Sequence, residues 1–60
     1  MKKTITDEIE LLDLLKQIFP KSSTNKLRKM LSNGRIKINS DIVHKAKYKL
    51  QENDIFELLD

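Results

Sequence analysis

The chain's apolar rhythm predicts an α+β domain: two N-terminal helices packed on a small antiparallel β-sheet. Three observations carry that expectation. Leucine and isoleucine recur at helical spacing up to Phe19, and again at Leu27, Met30 and Leu31. From Ile36 onward the period shortens to two, as in half-buried strands. The one glycine, Gly34, stands where the first rhythm gives way to the second.

The first helix is expected to open at Thr6 and Asp7, with Asp7 and Glu8 in a first turn whose positive dipole end favours acids. Leu11, Leu12, Leu14, Leu15, Ile18 and Phe19 crowd one side of a helical wheel, and Glu10, Asp13, Lys16 and Gln17 fill the other. Pro20 ends it, because a residue before proline is pushed out of helical geometry. All four residues of Ser22-Ser23-Thr24-Asn25 cap well, so a second helix starts within that run. Its inward stripe is Leu27, Met30 and Leu31. Asn25, Lys29 and Ser32 lie opposite, with Lys26 and Arg28 on the flanks. Gly34, just past the helix end, can take positive φ and let the last carbonyls be bonded.

A strand from Arg35 to Asn39 follows. Burial of Ile36 and Ile38 obliges Arg35 and Lys37 to point the other way. Asn39-Ser40-Asp41 reads as a tight turn, with Ile42 and Val43 starting a returning strand. In His44 to Leu50, lysines at 45, 47 and 49 alternate with Ala46, Tyr48 and Leu50, which suits a strand or extended loop with one basic edge. Tyr48 could stack a base, but the side it shares with Ala46 and Leu50 makes the core the expected place for it, as for Phe19 and Phe56. Glu52-Asn53-Asp54 makes another turn, held by Asp54, before a last strand from Ile55 to Leu59 with Phe56 and Leu58 on one side.

Sixty residues form a single domain, 1–60, and a chain so short hides only about 60 % of its unfolded surface, so the core must be thin. With no cysteine there is neither a disulfide framework nor a thiolate zinc site, which fits a reducing, cytoplasmic setting. No apolar run approaches the roughly 18 residues of a membrane span, so no membrane role is expected. The charge is segregated. Residues 21–49 hold nine Lys and Arg against Asp41 alone, a net of +8, whereas residues 50–60 hold four acids and no base. A basic surface of this kind in a small protein meets phosphates more often than it serves only to hold water.

The succession of a leucine-rich helix, a capping Ser, a basic helix ending Asn33-Gly34, then Arg35-Ile36-Lys37-Ile38-Asn39 and later Leu50-Gln51-Glu52-Asn53-Asp54-Ile55 resembles the S-four RNA-binding domain. That family, named for ribosomal small-subunit protein four, carries the alpha-L RNA-binding motif. The resemblance covers about residues 8–58. It implies a compact module that docks structured RNA, ribosomal or transfer RNA, as part of a ribosome or of a larger RNA-modifying or aminoacylating protein. It also implies that RNA meets the start of the second helix, that helix's outer face and the strand after the glycine. Carried over, these are Ser23, Thr24, Asn25, Lys26, Arg28 and Lys29, then Arg35, Lys37 and Asn39, with Lys21 nearby. Three positions depart from the family pattern. Thr24 stands where Arg or Lys often follows the capping Ser, Ser40 replaces the usual glycine after the strand-ending Asn, and Glu10-Leu11-Leu12-Asp13 has an acid where the first helix commonly opens with Arg.

Read from the residues alone, Lys29, Arg28, Arg35 and Lys37 are left on adjoining outward surfaces, because the helix and strand joined at Gly34 both bury their aliphatic side. Neutralising about five phosphates there would give a log–log salt slope of roughly −3.5 to −4.5. Ser23, Thr24, Asn25 and Asn39 can add directional hydrogen bonds to phosphate or 2′-hydroxyl groups. Two other binding modules compete: a small helix-turn-helix protein reading DNA through residues 24–33, weakened by the strands that follow, and a basic module docking an acidic protein. Enzymatic activity is not expected, nor any cofactor, metal or small-molecule substrate. His44 is the sole histidine, and no second ligand type sits at metal spacing.

Overall fold

A computed structural model describes residues 1–59. Its elements run β1 (Lys2–Thr4), β2 (Ile9–Glu10), α1 (Leu11–Ile18), α2 (Thr24–Ser32), β3 (Ile36–Ile38), β4 (Asp41–Ile42), β5 (Lys49–Leu50) and β6 (Ile55–Leu58). Four strands form an antiparallel sheet in the order β1-β6-β3-β4, and β2 pairs with β5 in a separate two-stranded ribbon. Two helices on a small antiparallel sheet is the α+β architecture expected, with short strands added ahead of the helices. No described helix is long and apolar enough to cross a membrane.

Register decides which side chains share the core. Ile36 lies across from Leu58 and Ile38 across from Phe56, which puts three fully buried or nearly buried residues on one face of β3 and β6. Leu11, Leu14 and Leu15 of α1, Leu27 and Leu31 of α2, Leu50 and Ile5 close over them to complete a single cluster. Tyr48, Ala46, Phe19 and Met30 pack at its margin, half-buried. With the inner register set, Lys37 stands across from Glu57 on one side and Ile42 on the other, on the outward face.

The first helix begins at Leu11, not at Thr6 and Asp7. Residues 2–4 pair with β6 instead, and the pairing continues through Ile5, whose N–H donates to the Asp54 carbonyl at 2.8 Å and whose carbonyl accepts from Asn53 at 2.8 Å. Burying Ile5 on that edge, at 3 % exposure, outweighs the local capping preference of Thr6 and Asp7. The true first turn has no side-chain cap at Glu10. Its orphan donors are met from far along the chain: Leu11 N–H bonds the Tyr48 carbonyl at 2.8 Å and Leu12 N–H the Ala46 carbonyl at 2.9 Å. The lysine-alternating stretch serves this purpose as a loop, and only Lys49–Leu50 of it is strand.

The second helix follows its local code. Ser23 is the N-cap, its Oγ accepting from Lys26 N–H at 3.2 Å. At the other end Gly34 takes φ +73°, Gly34 N–H bonds the Leu31 carbonyl at 3.1 Å and Arg35 N–H bonds the Met30 carbonyl at 3.2 Å. These two bonds form a Schellman motif, which terminates α2 and turns the chain directly into β3. Between β3 and β4 the two-residue loop Asn39-Ser40 has both φ values positive, +52° and +74°. That is a type I′ turn, made here without the glycine that usually eases it.

Candidate nucleic-acid interface

On α2 the buried pair Leu27 and Leu31 fixes the helix roll, and everything the sequence marked for solvent is in solvent. Ser23, Thr24, Asn25, Lys26, Arg28 and Lys29 are all exposed, as is Lys21 in the connection from α1. Ser23 uses its oxygen for the cap, and its hydroxyl hydrogen remains available to donate. Ser32 turns back on the helix, its hydroxyl within 3.2 Å of the Arg28 and Lys29 carbonyls. This helix therefore presents cations and small polar groups, with its apolar side taken up by the core.

The β3 residues are less free than those of α2. Arg35 is half-buried, its Nε–H donating to the Leu59 carbonyl at 3.2 Å while its own carbonyl accepts from Leu59 N–H at 2.7 Å. The guanidinium keeps further N–H donors beyond that bond. Lys37 is half-buried too and has Glu57 directly across the strand pair, with Lys2 across from Glu57 in turn. Opposite charges facing each other across a ladder attract modestly, so part of the Lys37 field is offset. The linear charge pattern hides this acid, because it lies twenty residues later in sequence and only the β3–β6 register brings it alongside.

Asn39 is engaged inside the protein. Its Oδ1 accepts from Ile55 N–H at 2.9 Å and its Nδ2 donates to Asp54 Oδ1 at 3.1 Å, tying the end of β3 to the start of β6. Asp54 also accepts from Gln51 N–H at 2.8 Å. The backbone bond from Gln51, then the Asn39 amide, hold its carboxyl below the usual carboxylate range. Of the expected contact residues, then, the polar and basic ones from Lys21 to Lys29 stand clear on one helix and its approach, Arg35 follows bonded to Leu59 and Lys37 across from Glu57 on the strand, and Asn39 braces the turn.

One local arrangement escaped the pattern reading. His44 places Nδ1 at 2.8 Å from the Leu31 carbonyl, at the C-terminal end of α2. A carbonyl can only accept, so Nδ1 carries the proton and Nε2 is left over. Beside it Ile42, Val43, Lys45 and Tyr48 shape a shallow groove of about 340 Å³. The sequence offered a partial signal, a lone aromatic among lysines. Among the described residues no cluster of three or more His, Cys, Asp or Glu side chains gathers as metal ligands do.

Comparison with known proteins adds one match: the family model described as S4 domain fits residues 11–56, which runs from the first residue of α1 to Phe56 in β6. No curated protein and no solved structure matches the chain.

Proposed function

The chain belongs to the S4 domain family of RNA-binding domains, and from that premise we propose that it docks structured RNA, ribosomal or transfer RNA, through the outer face of α2 and the start of β3. The S4 domain is a binding rather than a catalytic domain. The observation that carries the reading is the shared burial of Leu27, Leu31, Ile36 and Ile38 in one cluster, with the Schellman turn at Gly34 as the only hinge between them. Two elements that bury their aliphatic sides together turn their polar sides outward together. Lys26, Arg28 and Lys29 then adjoin Arg35 and Lys37, and phosphates bound there release counterions.

Roles divide by chemistry. Lysines attract the backbone without reading sequence, whereas Ser23, Thr24 and Asn25 offer short donors and acceptors suited to 2′-hydroxyls and phosphate oxygens. The internal bonds of Asn39 favour a supporting role, holding β3 in place behind the cations. A strand after α2, in place of a third helix, argues against DNA reading in the helix-turn-helix manner.

Filter binding of transfer RNA and of a folded ribosomal RNA fragment over a salt series tests the proposal. Lys29→Ala and Arg28→Ala should each weaken binding and reduce the salt slope by about one unit. Both residues are exposed and, among the described residues, in no ion pair, so the fold should survive. Wild-type affinity and slope in both variants would remove the assigned face, and preference for duplex DNA over folded RNA at equal salt would replace the RNA reading.

A further inference from the structure

We propose that the groove formed by Ile42, Val43, His44, Lys45 and Tyr48 receives one unpaired nucleobase of the RNA held on the adjoining basic face, an inference that rests on the RNA-docking reading above. The groove lies beside the α2–β3 joint. A Cβ built on Gly34 would meet His44 Cε1 and Ile42 Cγ2, each at 3.6 Å, so the groove wall begins where the basic helix ends. Ile42 is also the register partner of Lys37. A polyanion lying along α2 and β3 thus passes the groove mouth.

The lining suits a base better than a phosphate or a peptide acid. It combines a half-buried tyrosine ring, an imidazole and two aliphatic side chains, and its one formal charge is the Lys45 cation. Ile42 is 50 % exposed beside half-buried Val43 and Tyr48, and an apolar wall of this kind accepts a flat π-face of any sequence. Charge complementarity selects the occupant: Lys45 is in the groove, Lys47 is exposed one residue before Tyr48, and Lys37 stands beside Ile42, so the base that enters would be attached to a phosphate chain.

The walls are also pre-set. Tyr48 carbonyl accepts from Leu11 N–H at 2.8 Å and Tyr48 N–H donates to the Lys45 carbonyl at 3.2 Å, Val43 N–H bonds the Ile36 carbonyl at 3.0 Å, and His44 is held on Leu31. Little backbone ordering remains to oppose binding.

Tyr48 is the only tyrosine and there is no tryptophan, so intrinsic fluorescence reports this ring alone. The probes are a blunt RNA duplex carrying one bulged adenosine and the same duplex without the bulge. The bulged duplex should bind roughly tenfold tighter, in the lower part of the range for one base on one aromatic ring, and quench Tyr48 emission. Tyr48→Phe should keep that preference. Tyr48→Leu should abolish it while leaving the salt slope unchanged, which a lost phosphate contact would not do. Should Tyr48→Leu fail to fold, Ile42→Ser at the exposed rim should lower the same preference. Equal affinity for both duplexes, with Tyr48 emission unaltered, overturns the base site and leaves the basic face standing. Failure of both duplexes to bind at low salt overturns both.

Discussion

The two helices are close in length and opposite in how they are held. Helix α1 buries Leu11, Leu14 and Leu15 completely or nearly so, has no side-chain cap, and takes its first-turn partners from carbonyls at 46 and 48. Helix α2 buries only Leu27 and Leu31 fully, yet carries its own start in Ser23 and its own stop in Gly34. The first exists because the rest of the fold surrounds it, whereas the second is specified by its neighbours in sequence. A surface that must present cations in fixed places is better built on the second kind, since its geometry does not depend on burying more of itself.

Substitutions can break or sharpen that contrast, beginning with the largest effect. Leu15→Ala should destabilise the domain by about 3 kcal/mol, because the side chain is fully enclosed and the thin core cannot refill the space. A loss below about 1 kcal/mol in urea unfolding would contradict the burial of α1. Gly34→Val should cost about 2 kcal/mol through φ +73° alone, since the Cβ itself would find only ordinary contacts. Gly34→Ala, with no branching, should cost less, and equal losses would point away from backbone strain.

The caps give the sharpest paired comparison. Ser23→Ala should lower stability by about 1 kcal/mol, while Glu10→Ala should change it by less than about 0.5 kcal/mol. The reverse order, read from thermal midpoints, would exchange the roles assigned to the helices. Ser40→Gly should raise stability by somewhat under about 1 kcal/mol by relieving φ +74° in the type I′ turn. Last comes a pH effect. The Asp54 carboxyl titrates lower in the fold than in the unfolded chain, so its contribution is present above the unfolded value of about 3.9 and fades as pH falls through the folded one. Acid unfolding curves for wild type and Asp54→Asn should therefore converge as pH drops below about 4.

What the sequence disclosed follows the same division. The elements from Ser22 to Ile38 were legible, though not which of the four capping residues opens α2, because caps, a glycine stop and a switch of period from helical to alternating are local signals. Asp54 holding its turn, and Phe56 and Leu58 on one side of the last strand, were legible for the same reason. The start of α1 was not, since Thr6 and Asp7 look like caps until Ile5 is known to be buried against β6. The strand Lys2–Thr4 was hidden likewise, with a three-residue pattern too short to show a period. On the candidate surface, exposure of Asn25, Lys26, Arg28 and Lys29 followed from the wheel. The surroundings of Arg35, Lys37 and Asn39 did not, because Leu59, Glu57 and Asp54 come beside them only through sheet register.

The pairing of β1 with β6 joins residues more than fifty positions apart: the Met1 carbonyl accepts from Leu58 N–H at 2.8 Å. As a chain is synthesised from its amino end, Lys2–Thr4 is made before β6 and must wait for the residues between them before it finds its place. Closing so long a loop is entropically slow and adds to the contact order of the domain. The cation-bearing helix carries its own cap and stop, so its local signals are complete before the strand that closes the sheet has been made.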